Sequence, residues 1–383
     1  MKTINFQEII ECSSQQSLLT RQAGFGIRTI TEGMNEHLAQ SISEQLNCAY
    51  EVDITEQVTA DDIAQDAYII KKFPRTLKYT AVKDDDGNTK YIIACTTYIG
   101  IDYGYFCGLS SARRAGTNYI ADILVFDEQP PIGIFPALLK QQIFLPTDNT
   151  CSPDNPELQA LLTGEPSYLK PRSIQWEDKG DIDEQTALVA IALIQAKLNQ
   201  EAEKDTCLQQ VVFQASEDKV PSILKDFSLL PSYLTEGKYF QTNYQQGYGM
   251  PKGYQMIFLN EYNKKEVYID NYVYANLDEK CFVNVKDNPY FLQMREAAIQ
   301  QDRSRFLELI EMAQLPPQIP EEENEEEDKE PNEKGMNEEH VQSKKESKKH
   351  GSSWKAVVRK GIRKIAEHFN STHSKNSKKE DIV

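Results

Sequence analysis

The chain has 383 residues and a formal net charge of −17 at pH 7. A chain of this length usually forms two or three domains, each with its own hydrophobic core. The acidic balance excludes general nucleic-acid binding by the body of the protein, because phosphates require compensating cations. Positive charge is concentrated at the end, where residues 344–383 carry 12 basic and 4 acidic side chains.

Cysteine and histidine usage restricts the chemistry further. The seven cysteines form no CxxC pair, which argues against a secreted disulfide framework. Of the five histidines, only His37 precedes residue 320. The body therefore cannot build a His-rich metal site, and a Ser-His-Asp arrangement would depend on His37, which a helical pattern places on the surface. We predict no metal and no cofactor.

The sequence shows no pattern typical of a targeting signal or of a membrane-spanning segment. The N-terminal residues lack the apolar core of a signal peptide, and no run approaches about 18 apolar residues. These features predict a cytoplasmic protein, with peripheral attachment to the inner membrane face as an option for its basic tail.

The first predicted module, residues 1–150, is rich in strand patterns. "TINFQEI" alternates as a strand, and "AGFGIRTI" combines turn glycines with a second strand. A 3.6-residue repeat predicts a helix in "MNEHLAQSISEQL", and "TADDIAQDA" predicts a short one. Two β-rich runs flank "DDDGN", whose Asp-Gly pair is a strong hairpin signal. "NYIADILVFDEQPP" predicts a further strand that ends at its prolines.

The middle of the chain is predicted to separate two modules. Several prolines and weak periodicity in residues 151–181 indicate a linker or covering loop. The second module, residues 182–315, begins with "DEQTALVAIALIQAKL", which is apolar on most sides and predicts a buried helix. Strand and helix patterns then alternate up to one long helix or two before residue 315. The predicted fold class is α+β, or mixed α/β.

The remaining residues differ sharply in composition. Residues 316–351 are highly charged and lack aromatic side chains, which predicts a disordered linker. Residues 352–370 are predicted to form a basic amphipathic helix, followed by a disordered tail at 371–383. The helix presents an apolar stripe and a cationic surface, formed by Trp354, Lys355, Val358, Arg359, Lys360, Ile362, Arg363, Ile365 and Phe369.

This pattern is typical of a helix that lies on an anionic membrane surface. Docking into the hydrophobic groove of a partner protein is the second interpretation. Nucleic-acid binding and docking on the protein's own acidic run remain as alternatives.

Two glycine-rich stretches carry the candidate binding residues. "AGFGIRTITEGM" packs glycines, an aromatic ring and an arginine together, and "GIDYGYFCGLSSARRAGTNYI" places two arginines before a strand. An arginine pair in such a loop can bind carboxylate or phosphate, although it can equally pair with the acidic body. Asp102 is the catalytic candidate. The predicted ligand- or partner-binding residues are Gly24, Phe25, Gly26, Arg28, Arg113, Arg114 and Asn118.

The same stretches resemble the N-terminal module of the bacterial GTPase-associated protein 1 family. The matching motifs cover residues 8–130, and a second resemblance covers 180–260. Many members carry a polar histidine in the strand after the Asn-Tyr step, where this chain has Asp122 as the nearest polar residue. The matching segments are Gly24–Gly26, Pro74–Tyr79, Tyr98–Asp102 and Arg114–Tyr119.

The resemblance implies a non-catalytic adaptor, encoded beside GTPases or other NTPases in bacterial conflict systems that serve in antiviral defence. The expected partners are such an NTPase and, through residues 352–369, an anionic membrane surface. Two alternatives stay open. One is an enzyme or sensor for a nucleotide or phosphorylated ligand, with Arg113 and Arg114 binding the anion and Asp102 acting as acid or base. The other is a membrane-active effector.

Overall fold

The computed structural model describes residues 2–46, 75–99, 102–109, 119–145, 155–177, 180–216, 219–242, 253–259 and 269–315. Within these ranges the chain forms a mixed sheet of twelve strands and nine α-helices, which confirms the predicted α+β class. The predicted short helix in "TADDIAQDA", the linker at 316–351, the amphipathic helix at 352–370 and the tail at 371–383 lie outside the described residues.

The elements are numbered in chain order. The strands are β1 (Lys2–Ser14), β2 (Gly24–Thr31), β3 (Thr76–Lys83), β4 (Thr89–Tyr98), β5 (Tyr119–Phe126), β6 (Ser167–Leu169), β7 (Arg172–Trp176), β8 (Val211–Gln214), β9 (Phe240–Gln241), β10 (Met256–Leu259), β11 (Val273–Asn276) and β12 (Cys281–Val283). The helices are α1 (Glu36–Leu46), α2 (Tyr103–Phe106), α3 (Ile134–Lys140), α4 (Pro156–Thr163), α5 (Glu184–Glu201), α6 (Val220–Leu229), α7 (Ser232–Thr235), α8 (Pro289–Ile299) and α9 (Arg303–Ala313).

The sheet has the order β12-β11-β8-β10-β9-β3-β4-β5-β1-β2-β6, and β7 pairs with the N-terminal half of β1. Strands β3, β4, β5, β1 and β2 are antiparallel neighbours. Strands β9, β10, β8 and β11 run parallel to one another. Parallel pairing requires crossover connections, and α6 lies on the chain between the neighbouring strands β8 and β10.

The predicted hairpin around "DDDGN" is confirmed. Strands β3 and β4 pair antiparallel along their whole length, from Thr76 opposite Thr96 to Lys83 opposite Thr89. Gly87 adopts a φ of 83°, which glycine reaches without the steric cost that a side chain would add. The Asn88 backbone N–H donates to the Asp84 carboxylate at 2.7 Å, so this carboxylate stabilises the turn.

The two predicted modules share one sheet. Strand β9 pairs with β3 through Phe240 opposite Tyr79, and the Leu77 N–H donates to Thr242 Oγ1 at 2.8 Å. Residues 1–318 form one compact unit. The structure therefore joins the segments 1–150 and 182–315, because strand pairing and the main hydrophobic core continue through the predicted boundary.

The prediction of a linker or covering loop at 151–181 is wrong in its central part. Helix α4 and strands β6 and β7 occupy residues 156–176. Asn155 caps α4 by accepting from the Glu157 N–H, and Pro156 occupies the first helical position, where its missing N–H has no cost. The proline that indicated a loop thus begins a helix.

The sheet buries both faces in its antiparallel part. Ile9 of β1 packs with Ile30 and with Ile42 of α1 on one face. Ile10 of β1 packs with Leu158 of α4 on the other. Helix α5, predicted as buried from its apolar sequence, lies in the largest core together with α3, α6, α8 and α9.

Candidate functional site

A partly apolar surface lies at one end of the sheet, where β2 begins and β4 ends. Phe25, 46% exposed, packs on Tyr119 with the ring centroids 4.7 Å apart. Tyr119 pairs with Tyr98, the last residue of β4, and α2 follows β4 after a short connection. We name this region the end surface. Its exposed aromatic side chain is Phe25. Tyr105 and Leu109 are exposed as well, but α2 packs through Tyr103 and Phe106 with the Ile10 cluster, on the opposite face of the sheet from Tyr119.

The two glycines that flank Phe25 have different roles. Gly24 has a φ of 133°, as predicted for a turn glycine, and begins β2 opposite Ser14. Gly26 lies within the strand opposite Cys12, and a Cβ added there would contact Ser17 Cβ at an ordinary 3.6 Å. Only Gly24 therefore needs its conformational freedom.

Asp102, the catalytic candidate, caps α2. Its carboxylate accepts from the Tyr105 N–H at 3.2 Å, which satisfies a free donor at the helix start. Arg113, Arg114 and Asn118 lie outside the described residues, as do the tail-helix residues from Trp354 to Phe369. Of the predicted binding set, the structure places Phe25 against Tyr119, the residue that follows Asn118 in the chain.

Three ionisable side chains meet in the antiparallel part of the sheet. Glu8 of β1 and Asp122 of β5 project from adjacent strands on the same face, and both are at most 1% exposed. Arg172 of β7 donates from Nη1 to both Glu8 carboxylate oxygens at 3.0 and 3.1 Å. The Leu145 N–H donates to Asp122 Oδ2 at 2.8 Å, while Oδ1 has no donor among the described residues.

The pKa values of these two carboxyl groups are both raised, to different extents. Burial raises the pKa of Glu8, and the nearby Arg172 opposes this rise. Burial and the neighbouring Glu8 carboxylate raise the pKa of Asp122 well above its usual range. Arg172 is hydrogen-bonded to Glu8 and not to Asp122, so of the two groups Asp122 has the stronger tendency to stay protonated.

A third acidic side chain, Glu11, lies on the opposite face of β1. Burial raises its pKa, and a hydrogen bond with Ser43 of α1 opposes the rise. Its Oε1 has no hydrogen-bond donor within the part of the chain that the structure describes. Strand β1 therefore carries two buried acidic side chains, Glu8 and Glu11, among side chains that are mostly apolar.

A cavity of about 520 Å³ opens between β2 and α4, close to this cluster. Leu145 connects the two features, because its N–H binds Asp122 while the residue also lines the cavity. Arg28 of β2 lines the same cavity and is only 3% exposed. The predicted binding residue Arg28 is thus a buried cation beside an open space. The lining residues are Arg28, Thr29, Leu145, Glu157, Leu158, Ala160, Leu161, Gly164, Glu165 and Ser167.

Cys12 approaches this region from β1 but is unsuited to nucleophilic chemistry. It is fully buried, and burial raises the pKa of its thiol to about 12. The reactive form of cysteine is the thiolate, which such a pKa suppresses at neutral pH. His37 lies on the exposed side of α1, where Nδ1 contacts the Asp85 carboxylate at 2.7 Å.

Glu8 and Arg172 are not among the site residues predicted from the sequence. A sequence signal for Glu8 exists, because an acidic residue stands among apolar ones in the strand pattern "NFQEIIEC". No local signal marked Arg172, because it lies 164 residues from Glu8. Asp122 was identified only as the polar residue of its strand.

Neither a metal-ligand cluster nor a membrane-spanning helix occurs in the described ranges. No group of three His, Cys, Asp or Glu side chains in these ranges could hold a metal ion. None of the helices described is long and apolar enough to cross a membrane.

No protein-family model matches this chain, and no curated protein sequence matches it either. The resemblance to the GTPase-associated family therefore stays a prediction.

Proposed function

We propose that this protein is a non-catalytic adaptor of a bacterial NTPase-linked conflict system. Its body binds a GTPase or another NTPase, and its basic tail binds an anionic membrane surface or a second partner. The observation that carries the proposal is the end surface, where Phe25 is 46% exposed and its ring packs on Tyr119. Exposed aromatic residues are enriched among the residues that dominate binding energy at protein interfaces.

The location of this surface supports the same proposal. Phe25 belongs to the Gly-Phe-Gly segment of the family resemblance, and Tyr119 ends its Arg114–Tyr119 segment. Phe25 and Tyr119 are in ring contact. Two distant segments that share the resemblance therefore meet at one end of the sheet, as expected if both take part in one interface.

The enzyme alternative receives less support from the described residues. The carboxylate of Asp102 is used to cap α2, and Asp122 is fully buried. An acid or base must reach the reacting atom by a direct contact or one water. The alternative continues to depend on Arg113 and Arg114.

The test is affinity purification of the tagged full-length protein from the organism that encodes it. We expect an NTPase to be retained, identified by mass spectrometry and then confirmed with purified proteins. Phe25→Ala should weaken this binary interaction by about tenfold or more, the usual effect of a central aromatic contact. Leu292→Ala, a substitution of an apolar residue on α8 that is 64% exposed, is the control. An NTPase bound equally well by the Phe25 variant, or none at all, would contradict the proposal.

The tail is tested separately with vesicles. The full-length protein should sediment with phosphatidylserine vesicles and leave phosphatidylcholine vesicles unbound, because the tail's cations interact with anionic headgroups. A chain ending at Leu315 should bind neither. Equal sedimentation of the two chains with anionic vesicles would show that the tail is not the membrane-binding segment.

A further inference from the structure

The cavity between β2 and α4 has the size and lining of a small-molecule site. Its volume of about 520 Å³ lies within the usual range for ligand pockets, roughly 300–1,000 Å³. Leu145, Leu158 and Leu161 supply an apolar wall, and Arg28 supplies the only cation among its described lining residues. Such pockets commonly combine an apolar wall with a few polar groups that orient the ligand.

Arg28 satisfies only part of its hydrogen-bonding capacity within the protein. Its Nε donates to the Leu161 carbonyl oxygen at 2.6 Å and its Nη1 to the Gln16 carbonyl oxygen at 3.0 Å. A guanidinium carries five N–H groups, and Nη2 has no acceptor among the described residues. Glu165 attracts Arg28 at longer range, but within the described ranges no carboxylate forms an ion pair with it.

The backbone leaves room beside this free nitrogen. Gly164 ends α4, and a Cβ built there would lie 2.6 Å from the Ala160 carbonyl oxygen and 3.5 Å from Arg28 Nη2. Glycine is therefore required for this close approach. Because Gly164 has no side chain, Nη2 stays accessible from the cavity.

A buried charge without a counter-ion is costly, and proteins normally pair such a charge. Arginine remains protonated even where burial lowers its pKa, as burial does for Arg28. The two carbonyl acceptors supply partial negative charge but do not neutralise the guanidinium. An anion in the cavity would complete the pairing.

We propose that this cavity binds a small amphiphile with a single carboxylate head. The carboxylate accepts hydrogen bonds from Nη1 and Nη2 of Arg28, in the two-point geometry that guanidinium favours. The apolar chain packs against Leu145, Leu158 and Leu161. This ligand site is separate from the end surface and does not depend on the adaptor function.

The charges around the cavity favour a ligand that carries a single negative charge. Glu157 and Glu165 line it from exposed positions and raise the local negative potential. A dianionic phosphate would meet this repulsion with only one guanidinium to bind it. A monocarboxylate is balanced by Arg28 alone.

The test uses octanoate as the probe, with the full-length protein, isothermal titration calorimetry and physiological salt. Octanoate should bind with one site per chain. Octanol, which has the same chain and no charge, should bind at least about tenfold more weakly, since a hydrogen bond to a charged group is lost. Octyl phosphate should also bind more weakly than octanoate. Glu165→Gln should strengthen octanoate binding by about twofold to threefold, because it removes a repulsive charge.

Two variants separate binding from folding. Arg28→Gln should reduce octanoate affinity at least about tenfold. Ala160→Phe should do the same by filling the cavity from an exposed position on α4, whereas Gln159→Phe, its neighbour outside the cavity lining, should bind normally. Circular dichroism checks that each variant is folded. If octanoate fails to bind, if octanol binds equally well, or if folded Ala160→Phe retains full affinity, the proposal is overturned.

Discussion

At the scale of single residues, the pairing of Glu8 with Arg172 decides how the antiparallel part of the sheet accommodates a buried charge. Glu8 is almost fully buried, whereas the Arg172 side chain is 37% exposed. The arginine therefore keeps partial hydration while it neutralises the buried carboxylate, and its guanidinium also lies 5.8 Å from the centre of the Phe6 ring. Asp122 completes the cluster, and burial raises its pKa well above its usual range.

We expect Arg172→Met to lower the free energy of unfolding by about 3 kcal/mol at pH 7, because it leaves Glu8 buried without a cation. Urea unfolding measures this change. Arg305→Met is the matched control, since it removes an exposed pair with Glu308 and should cost less than about 1 kcal/mol.

The double variant Glu8→Gln with Arg172→Met tests the cause. Removing both charges should recover part of the loss, because the stranded carboxylate is gone. A double variant that is less stable than the sum of the single effects would show that charge pairing is not what Arg172 contributes.

At the scale of elements, α5 is a helix that its own sequence predicts, whereas its contact with α6 cannot be predicted from that sequence. Its apolar sequence predicted a buried helix, and Asp183 begins it with a capping box that includes Thr186. The same first turn also binds Asp226 of α6. Gln185 Nε2 donates to the Asp226 carboxylate at 2.7 Å and Thr186 Oγ1 at 2.9 Å.

The contact between α5 and α6 should make stability depend on pH. Burial raises the pKa of Asp226 from 3.8 to about 6, so the folded state holds this proton more tightly than the unfolded chain. The stabilising contribution of neutral Asp226 is complete below pH 3.8 and is lost as the pH rises to about 6. The shift corresponds to an order-of-magnitude loss of about 3 kcal/mol.

Asp226→Asn removes this titration. Relative to the wild type, the free energy of unfolding of the variant should increase between pH 4 and pH 7, as measured by urea unfolding at a series of pH values. A difference between the two proteins that stays constant over this range would contradict the prediction.

In the C-terminal helical region, local sequence patterns do not decide how many helices form. The sequence pattern is compatible with either one helix or two before residue 315. The structure has two, α8 and α9, separated by a turn in which Gln301 adopts a φ of 57°. Asp302 then caps α9 by accepting from the Arg305 N–H at 3.0 Å. The helical periodicity of the sequence continues across this turn. Only the backbone conformation therefore distinguishes one long helix from two.

At the scale of the whole molecule, β3 and β9 join the N-terminal and C-terminal parts. Phe240 of β9 is fully buried, and its ring packs near Tyr79, Phe135 and Phe258. These neighbours come from both predicted modules. The shared core indicates that the described unit unfolds cooperatively.

Phe240→Ala should destabilise both parts together. We expect a loss of about 3–5 kcal/mol, the usual effect of truncating a buried phenylalanine. Trp176 of β7 lies in the N-terminal part of the sheet, and replacing Trp354 by Phe makes it the only tryptophan. In that background, the unfolding midpoints measured by fluorescence and by far-ultraviolet circular dichroism should shift together. An unchanged fluorescence midpoint would show that the two parts unfold independently.

The sequence alone determined the features that depend on neighbours in the chain. The β3–β4 hairpin follows from strand patterns around Asp-Gly, and α5 follows from an apolar run behind a capping residue. The α+β class follows from counting such elements. Each of these rests on periodicity or turn chemistry within a few residues.

Only the tertiary structure decided which distant residues meet. Arg28 reaches the Leu161 carbonyl across 133 positions, and Arg172 reaches Glu8 across 164. The joining of two predicted modules into one sheet depends on β3 meeting β9 in the same way. Such contacts arise from the packing of whole elements, so local sequence patterns identify the participating residue types but not their partners.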